Sequence, residues 1–118
     1  MSCDVVCLRP EADFLKVGVT PPEGLAVAYR APDAEDVPAL VASAKAVLIP
    51  AVGPALAASL FEAGSVRLVQ VTGAGVDRLD RAGMEALGIA VANVPGGSND
   101  ALAEYAIATS LVLLRRLA

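Results

Sequence analysis

The chain predicts an α/β domain: a flavodoxin-like, doubly wound parallel sheet of about five strands with helices on both faces. Three observations carry this. Five short apolar runs each lead into a helical pattern or the start of one. The runs are nearly unbroken in Val, Ile, Leu and Ala, as strands covered on both faces require. Apolar residues make up 56% of the chain, mostly Ala, Val and Leu, with two Phe, two Tyr and no Trp, which suits close packing of helices on a sheet. At 118 residues the length fits a single domain, 1–118.

The elements follow in order. Val5 to Leu8 is the first strand, stopped by Pro10, and Glu11 to Val17 has room for one or two helical turns. The Pro21-Pro22-Glu23-Gly24 turn opens a second strand, Leu25 to Tyr29. Asp33 to Ala44 reads as a helix, with Asp33 as its cap and Val37, Leu40, Val41 and Ala44 at helical spacing. Ala46 to Ile49 is the third strand. Pro54 then suits a first helical turn, Leu56, Leu60, Phe61 and Ala63 make its inner face, and Gly64 ends it. Val66 to Val71 is the fourth strand. Asp80 caps a helix to Leu87, and Ile89 to Ala92 is the fifth strand. Asn99 or Asp100 caps a last helix, which ends near Leu117.

Composition narrows the partners. A net charge of -4 without a basic cluster argues against nucleic acid or an anionic membrane. No apolar run is long enough to span a bilayer: Leu111 to Leu114 is closed by Arg115 and Arg116. MSCDVVCLRP lacks the basic start and apolar core of a signal peptide, so a cytoplasmic location is expected. Cys3 and Cys7 on one strand would sit roughly 13 Å apart, too far for a disulfide, and read as buried free thiols. With no histidine and no CxxC pair, no metal site is expected.

Two segments carry chemistry. The first is the turn Thr72-Gly73-Ala74-Gly75-Val76-Asp77 after the fourth strand. Ligands bind beyond the carboxyl ends of such strands. Successive exposed N–H groups in a glycine-rich turn attract anions. The residues therefore read either as a cradle for a carboxylate or phosphate, or more plainly as glycines that permit a tight turn. A dinucleotide fingerprint is excluded, because G-x-G-x-x-G would need glycine where Arg78 stands. The second segment runs Asn93-Val94-Pro95-Gly96-Gly97-Ser98-Asn99-Asp100-Ala101-Leu102-Ala103-Glu104. Here Asn99 and Asp100 can serve as helix caps, a ligand contact, or both. The helix that follows is apolar nearly all round, so it should be buried on more than one face.

Together the stretch from Val66 to Arg116 resembles the D-isomer-specific 2-hydroxyacid dehydrogenases. Gly73, Gly75 and Asp77 match the family's G-x-G-x-D turn; Asn93, Pro95, Ala103 and Glu104 match its second segment. The resemblance implies that the N–H groups of Ala74 and Gly75 hold the carboxylate of a small 2-hydroxy or 2-keto acid. It implies that Val76 supports the turn and that Asp77 fixes it by accepting from nearby backbone N–H groups. Ser98 and Asn99 would occupy the loop that faces substrate and nicotinamide, and Glu104 would be a structural partner near a domain junction.

The resemblance also implies what must come from elsewhere. The family's cofactor, NAD or NADP, is held by a nucleotide-binding domain, which also supplies an arginine and a histidine acid/base. The 118 residues contain no histidine and no nucleotide fingerprint. They are expected to form the substrate-binding part of such an enzyme, inactive alone, binding no cofactor strongly and carrying no catalytic residue. The helix from about residue 100 would lead toward the absent domain, with self-association through that helix as a consequence. The competing reading is a stand-alone flavodoxin-like ligand-binding or signalling module. Leu8-Arg9-Pro10-Glu11 after the first strand suits neither a receiver's acidic cluster nor a flavin phosphate loop.

Overall fold

A computed structural model describes residues 2–117. Ten elements alternate: β1 (Val5–Cys7), α1 (Glu11–Leu15), β2 (Val27–Tyr29), α2 (Val37–Ser43), β3 (Ala46–Ile49), α3 (Ser59–Glu62), β4 (Leu68–Val71), α4 (Arg81–Ala86), β5 (Ala90–Ala92) and α5 (Asn99–Arg115). The strands form one parallel sheet in the order β2-β1-β3-β4-β5. This is the doubly wound α/β sheet expected from the five apolar runs.

Register explains how the core is built. Val6, Val47 and Val69 lie side by side across β1, β3 and β4, and none is exposed. Leu8, Ile49 and Val71 extend the same face and pack with Val37, Leu40 and Val41 of α2, Phe61 of α3 and Met84 of α4. Burying each such side chain contributes roughly 1.5–3 kcal/mol. The other face is covered unevenly. Phe14 of α1 packs 6.0 Å from Tyr29, beside Val5, Cys7 and Leu48. At the far side, Leu68 of β4 and Ala90 of β5 remain exposed.

Several helices depart from their sequence patterns. α2 begins at Val37, not Asp33, with Pro38 in its first turn. Asp36 takes the cap position, but its carboxylate is drawn to Arg30 at 2.8 Å, so it caps nothing. Pro54 starts no helix. Residues 50–58 stay irregular, Leu56 bridges to Leu79, and α3 is a single turn from Ser59. The cause is side-chain competition for the backbone, described below. Asn99 and Asp100 lie inside α5, whose cap position is Ser98, without a side-chain cap bond. Asp100 still suits the first turn, where a negative charge meets the positive end of the helix dipole.

The largest departure is burial of α5. No residue of this helix is buried; Leu102, Tyr105, Ile107, Leu113 and Leu114 are all more than half exposed. The buried core is made by the sheet with α2, α3 and α4, and α5 adds no residue to it. No helix among them is long and apolar enough to cross a membrane. The cysteines are free; Cys7 is buried, but Cys3 is only partly so, because it precedes β1. Burial pushes the Cys7 thiol above its ordinary value.

Asp80 caps α4 as its sequence position predicts: its carboxylate accepts from the Gly83 N–H at 3.1 Å. Asp80→Ala is expected to cost about 1 kcal/mol, seen as a lower denaturant midpoint at unchanged m-value. A midpoint equal to that of the parent chain would show the bond to be idle.

Candidate substrate-carboxylate site

The glycine-rich turn sits where β3, β4 and β5 end together. The Thr72 N–H donates to the Ile49 carbonyl at 2.8 Å, and the Thr72 hydroxyl reaches the same oxygen at 3.3 Å. Arg9, just past β1, donates from Nη1 to the Thr72 hydroxyl at 3.2 Å and from Nε to Asp13 at 3.1 Å. The Arg9 guanidinium holds the Asp13 carboxyl below its ordinary value. The root of the turn is thereby tied to the end of β3 and to the segment just past β1.

Its body is tied to β5. The Val94 N–H donates to the Gly73 carbonyl at 2.9 Å, and the Asn93 side-chain amide donates to the Ala74 carbonyl at 2.8 Å. The Gly73 and Ala74 carbonyls of the turn are thus occupied. Its N–H groups are not: among the described residues, neither Ala74 nor Gly75 finds an acceptor for its backbone N–H. Ala74 is exposed and Gly75 half-buried. Two adjacent open donors on a pinned turn form a concavity for an anion. Val76 packs against the core from below, as expected. Asp77 does not act as expected. It accepts no backbone N–H among the described residues, and Asn93 and Val94 fix the turn in its place.

The wall beside the turn is the segment after β3. A side chain on Gly73 would place its Cβ 2.8 Å from the Ala51 Cβ, so turn and wall are in direct contact. The wall is held by Arg78, which is 5% exposed. Its Nε donates to the Pro54 carbonyl at 2.9 Å; its Nη1 donates to Pro50 at 2.7 Å and Val52 at 3.2 Å. The Leu56 N–H closes the set by donating to the Arg78 carbonyl at 2.8 Å. These bonds claim the backbone from Pro50 to Leu56, and that is why no helix starts at Pro54. In the sequence Arg78 shows only as the residue that breaks a nucleotide fingerprint. An isolated arginine before a helix cap gives no sign that it folds inward.

Ser98 and Asn99 follow the Asn93–Gly97 connection and are exposed at the start of α5. That connection shares its first two residues with the turn's anchors, but no hydrogen bond among the described residues joins Ser98 or Asn99 to Ala74 or Gly75. Glu104 is exposed on α5. Two clefts flank β2, one lined by Ala26 to Arg30 with Leu40, the other by Cys7, Phe14 and Val27. The first lies at the sheet edge and the second under α1, both away from the ends of β3, β4 and β5, where the glycine turn stands. No group of His, Cys, Asp and Glu among the described residues is placed to hold a metal ion.

A nicotinamide dinucleotide does not fit this turn. Its pyrophosphate needs a glycine turn that runs straight into a helix N-terminus. Here buried Arg78 and the Leu56–Leu79 bridge stand between the turn and α4, which starts only at Arg81.

Comparison with known proteins agrees with this layout. Residues 5–116 match the family model described as D-isomer specific 2-hydroxyacid dehydrogenase, catalytic domain. The chain belongs to that family. Among characterised relatives, erythronate-4-phosphate dehydrogenase from Salinibacter ruber is 34% identical over 87 residues, covering 74% of this chain and 22% of its own. NAD-dependent formate dehydrogenase from Staphylococcus aureus, solved with NAD, superposes with a TM-score of 0.74 at 22% identity, over 99% of this chain and 39% of its own. A D-lactate dehydrogenase from Treponema pallidum gives 0.72 at 24% identity, over 99% and 37%. The last two likenesses show the fold. The chain spans about a fifth of the characterised relative and under two-fifths of each of these two solved proteins.

Proposed function

We propose that this chain is the substrate-binding part of an NAD(P)-dependent D-2-hydroxyacid dehydrogenase. The observation that carries the reading is the pair of unpartnered N–H groups on Ala74 and Gly75, on a turn whose Gly73 and Ala74 carbonyls are tied back. They are suited to the carboxylate of a 2-hydroxy or 2-keto acid. Charge-assisted bonds from two backbone donors would orient the acid without a cationic side chain. Ser98 and Asn99, on the loop leading into α5, would meet the far side of the substrate. The 118 residues supply binding and orientation. They contain no histidine, and no other group placed to move a proton near neutrality. Proton transfer and the nicotinamide, NAD or NADP, belong to a nucleotide-binding domain reached through α5.

Two measurements test this. The 118-residue chain is expected to oxidise no NADH with any 2-keto acid; steady substrate-dependent turnover by it would end the division of labour proposed. Titration of the labelled chain with pyruvate, the smallest 2-keto acid, is expected to shift the amide resonances of Ala74 and Gly75. Shifts confined to the clefts around β2 would move the site there.

A further inference from the structure

We propose that Arg78 is the positioning residue of the carboxylate cradle, acting through the Pro50–Pro54 wall. This rests on the reading of Ala74 and Gly75 as that cradle. The guanidinium is buried, and among the described residues no carboxylate pairs with it. Its Nη2 is buried without a hydrogen-bond partner. A cation taken out of water without a counter-ion is costly, and one left with an unspent donor more so. An apolar side chain would fill the same space at lower cost. What only a planar fork can do is gather several carbonyls from one strand of backbone. Arg78 does this with Pro50, Val52 and Pro54, three alternate residues of the wall.

The wall carries the effect to the cradle. Gly53 has φ +145°, and a Cβ there would sit 2.7 Å from the guanidinium carbon, so the loop is moulded onto the arginine. Ala51, between two of the gathered carbonyls, faces Gly73 at closest approach and lies in ordinary contact range of a Gly75 side chain. Fixing Pro50 and Val52 fixes Ala51. Fixing Ala51 sets how far Gly73 to Gly75 can lean toward β3, and so where the two N–H groups stand. Arg78 itself touches no substrate.

The test uses the labelled 118-residue chain with Arg78→Met, which keeps bulk and loses every donor, and Arg78→Lys, which keeps charge and one donor group. Backbone order parameters of Ala51 to Gly53 are expected to fall from rigid values to below about 0.6 in Arg78→Met and to an intermediate value in Arg78→Lys. Pyruvate affinity, read at the Ala74 and Gly75 amides, should weaken in step, roughly tenfold for Met and less for Lys. Strand amides of β1 and β3 should stay unchanged in both. If the wall loosens but affinity holds, Arg78 is a staple of the loop only and the proposal is overturned. If the order parameters and the Gly73–Gly75 resonances do not move, it is overturned outright. If the parent chain shows no pyruvate shift at Ala74 and Gly75, the cradle reading fails by itself, while the order parameters still report whether Arg78 sets the turn. Should Arg78→Met not fold, Gly53→Ala displaces the guanidinium from the other side and is expected to reproduce its effects.

Discussion

Gly75→Val, in a chain completed with a nucleotide-binding domain, is expected to lower kcat/KM for 2-keto acids roughly 100-fold while leaving folding nearly intact. The structure separates the two effects. A Cβ at Gly75 would lie 3.7 Å from the Asp77 carboxylate and 3.9 Å from the Ala51 Cβ, both ordinary contacts. Its backbone is outside the left-handed region. The protein therefore has room for a Cβ there, and a carboxylate seated on the Ala74 and Gly75 N–H groups is expected to meet the bulk of the valine. The neighbouring glycine is the control. A Cβ at Gly73 would meet Ala51 at 2.8 Å, so Gly73→Val should lose stability, by about 1–3 kcal/mol, before any question of substrate arises. If Gly75→Val keeps its kcat/KM, the carboxylate does not sit on this turn. If it unfolds like Gly73→Val, the space inferred at Gly75 is not there.

The 118-residue chain is also expected to self-associate through α5. All its large apolar residues are exposed, several on every side, and none of its residues is buried. Contiguous apolar surface of this kind beyond a few hundred Å² is uncommon in soluble monomers. Sedimentation over a concentration series should show a rising weight-average mass, and Leu113→Glu with Ile107→Lys should abolish the rise without changing the sheet. A concentration-independent monomer with α5 protected from hydrogen exchange would mean the domain covers this helix by itself. That outcome would remove the case for α5 as the passage to a second domain.

How far the sequence could be read depends on what each residue competes with. The five strands were legible because each is a short, nearly unbroken apolar run that leads into a helical pattern or a turn. The glycine turn was legible because Gly73 and Gly75 follow directly on β4 in a parallel sheet, where such turns face ligand. The segment 50–58 was not. Its Pro54 is a sound helix opener locally, but Arg78, twenty-four residues on, binds the Pro54 carbonyl, which in a helix would accept from the Ala58 N–H. Asp77 misled for a similar reason: a carboxylate beside a turn suggests local capping, and the work is done by Asn93 from the next strand. Asp33 lost its place to a turn that delays α2 until Val37. The misses at 50–58 and at Asp77 come from contacts between residues distant in sequence, which spacing does not show, whereas the delay of α2 is a local turn with the Arg30–Asp36 pair.

The two bonds from Asn93 and Val94 to the turn have a mechanical consequence. They pin the start of a connection that at Asn99 becomes the root of a rod, since α5, with 17 residues, is about 26 Å long. A tilt of about 5° at that root carries the far tip through about 2 Å. A small change of direction in the connection from Val94 to Asn99 is therefore felt most at Arg115, the end of α5 farthest from the turn.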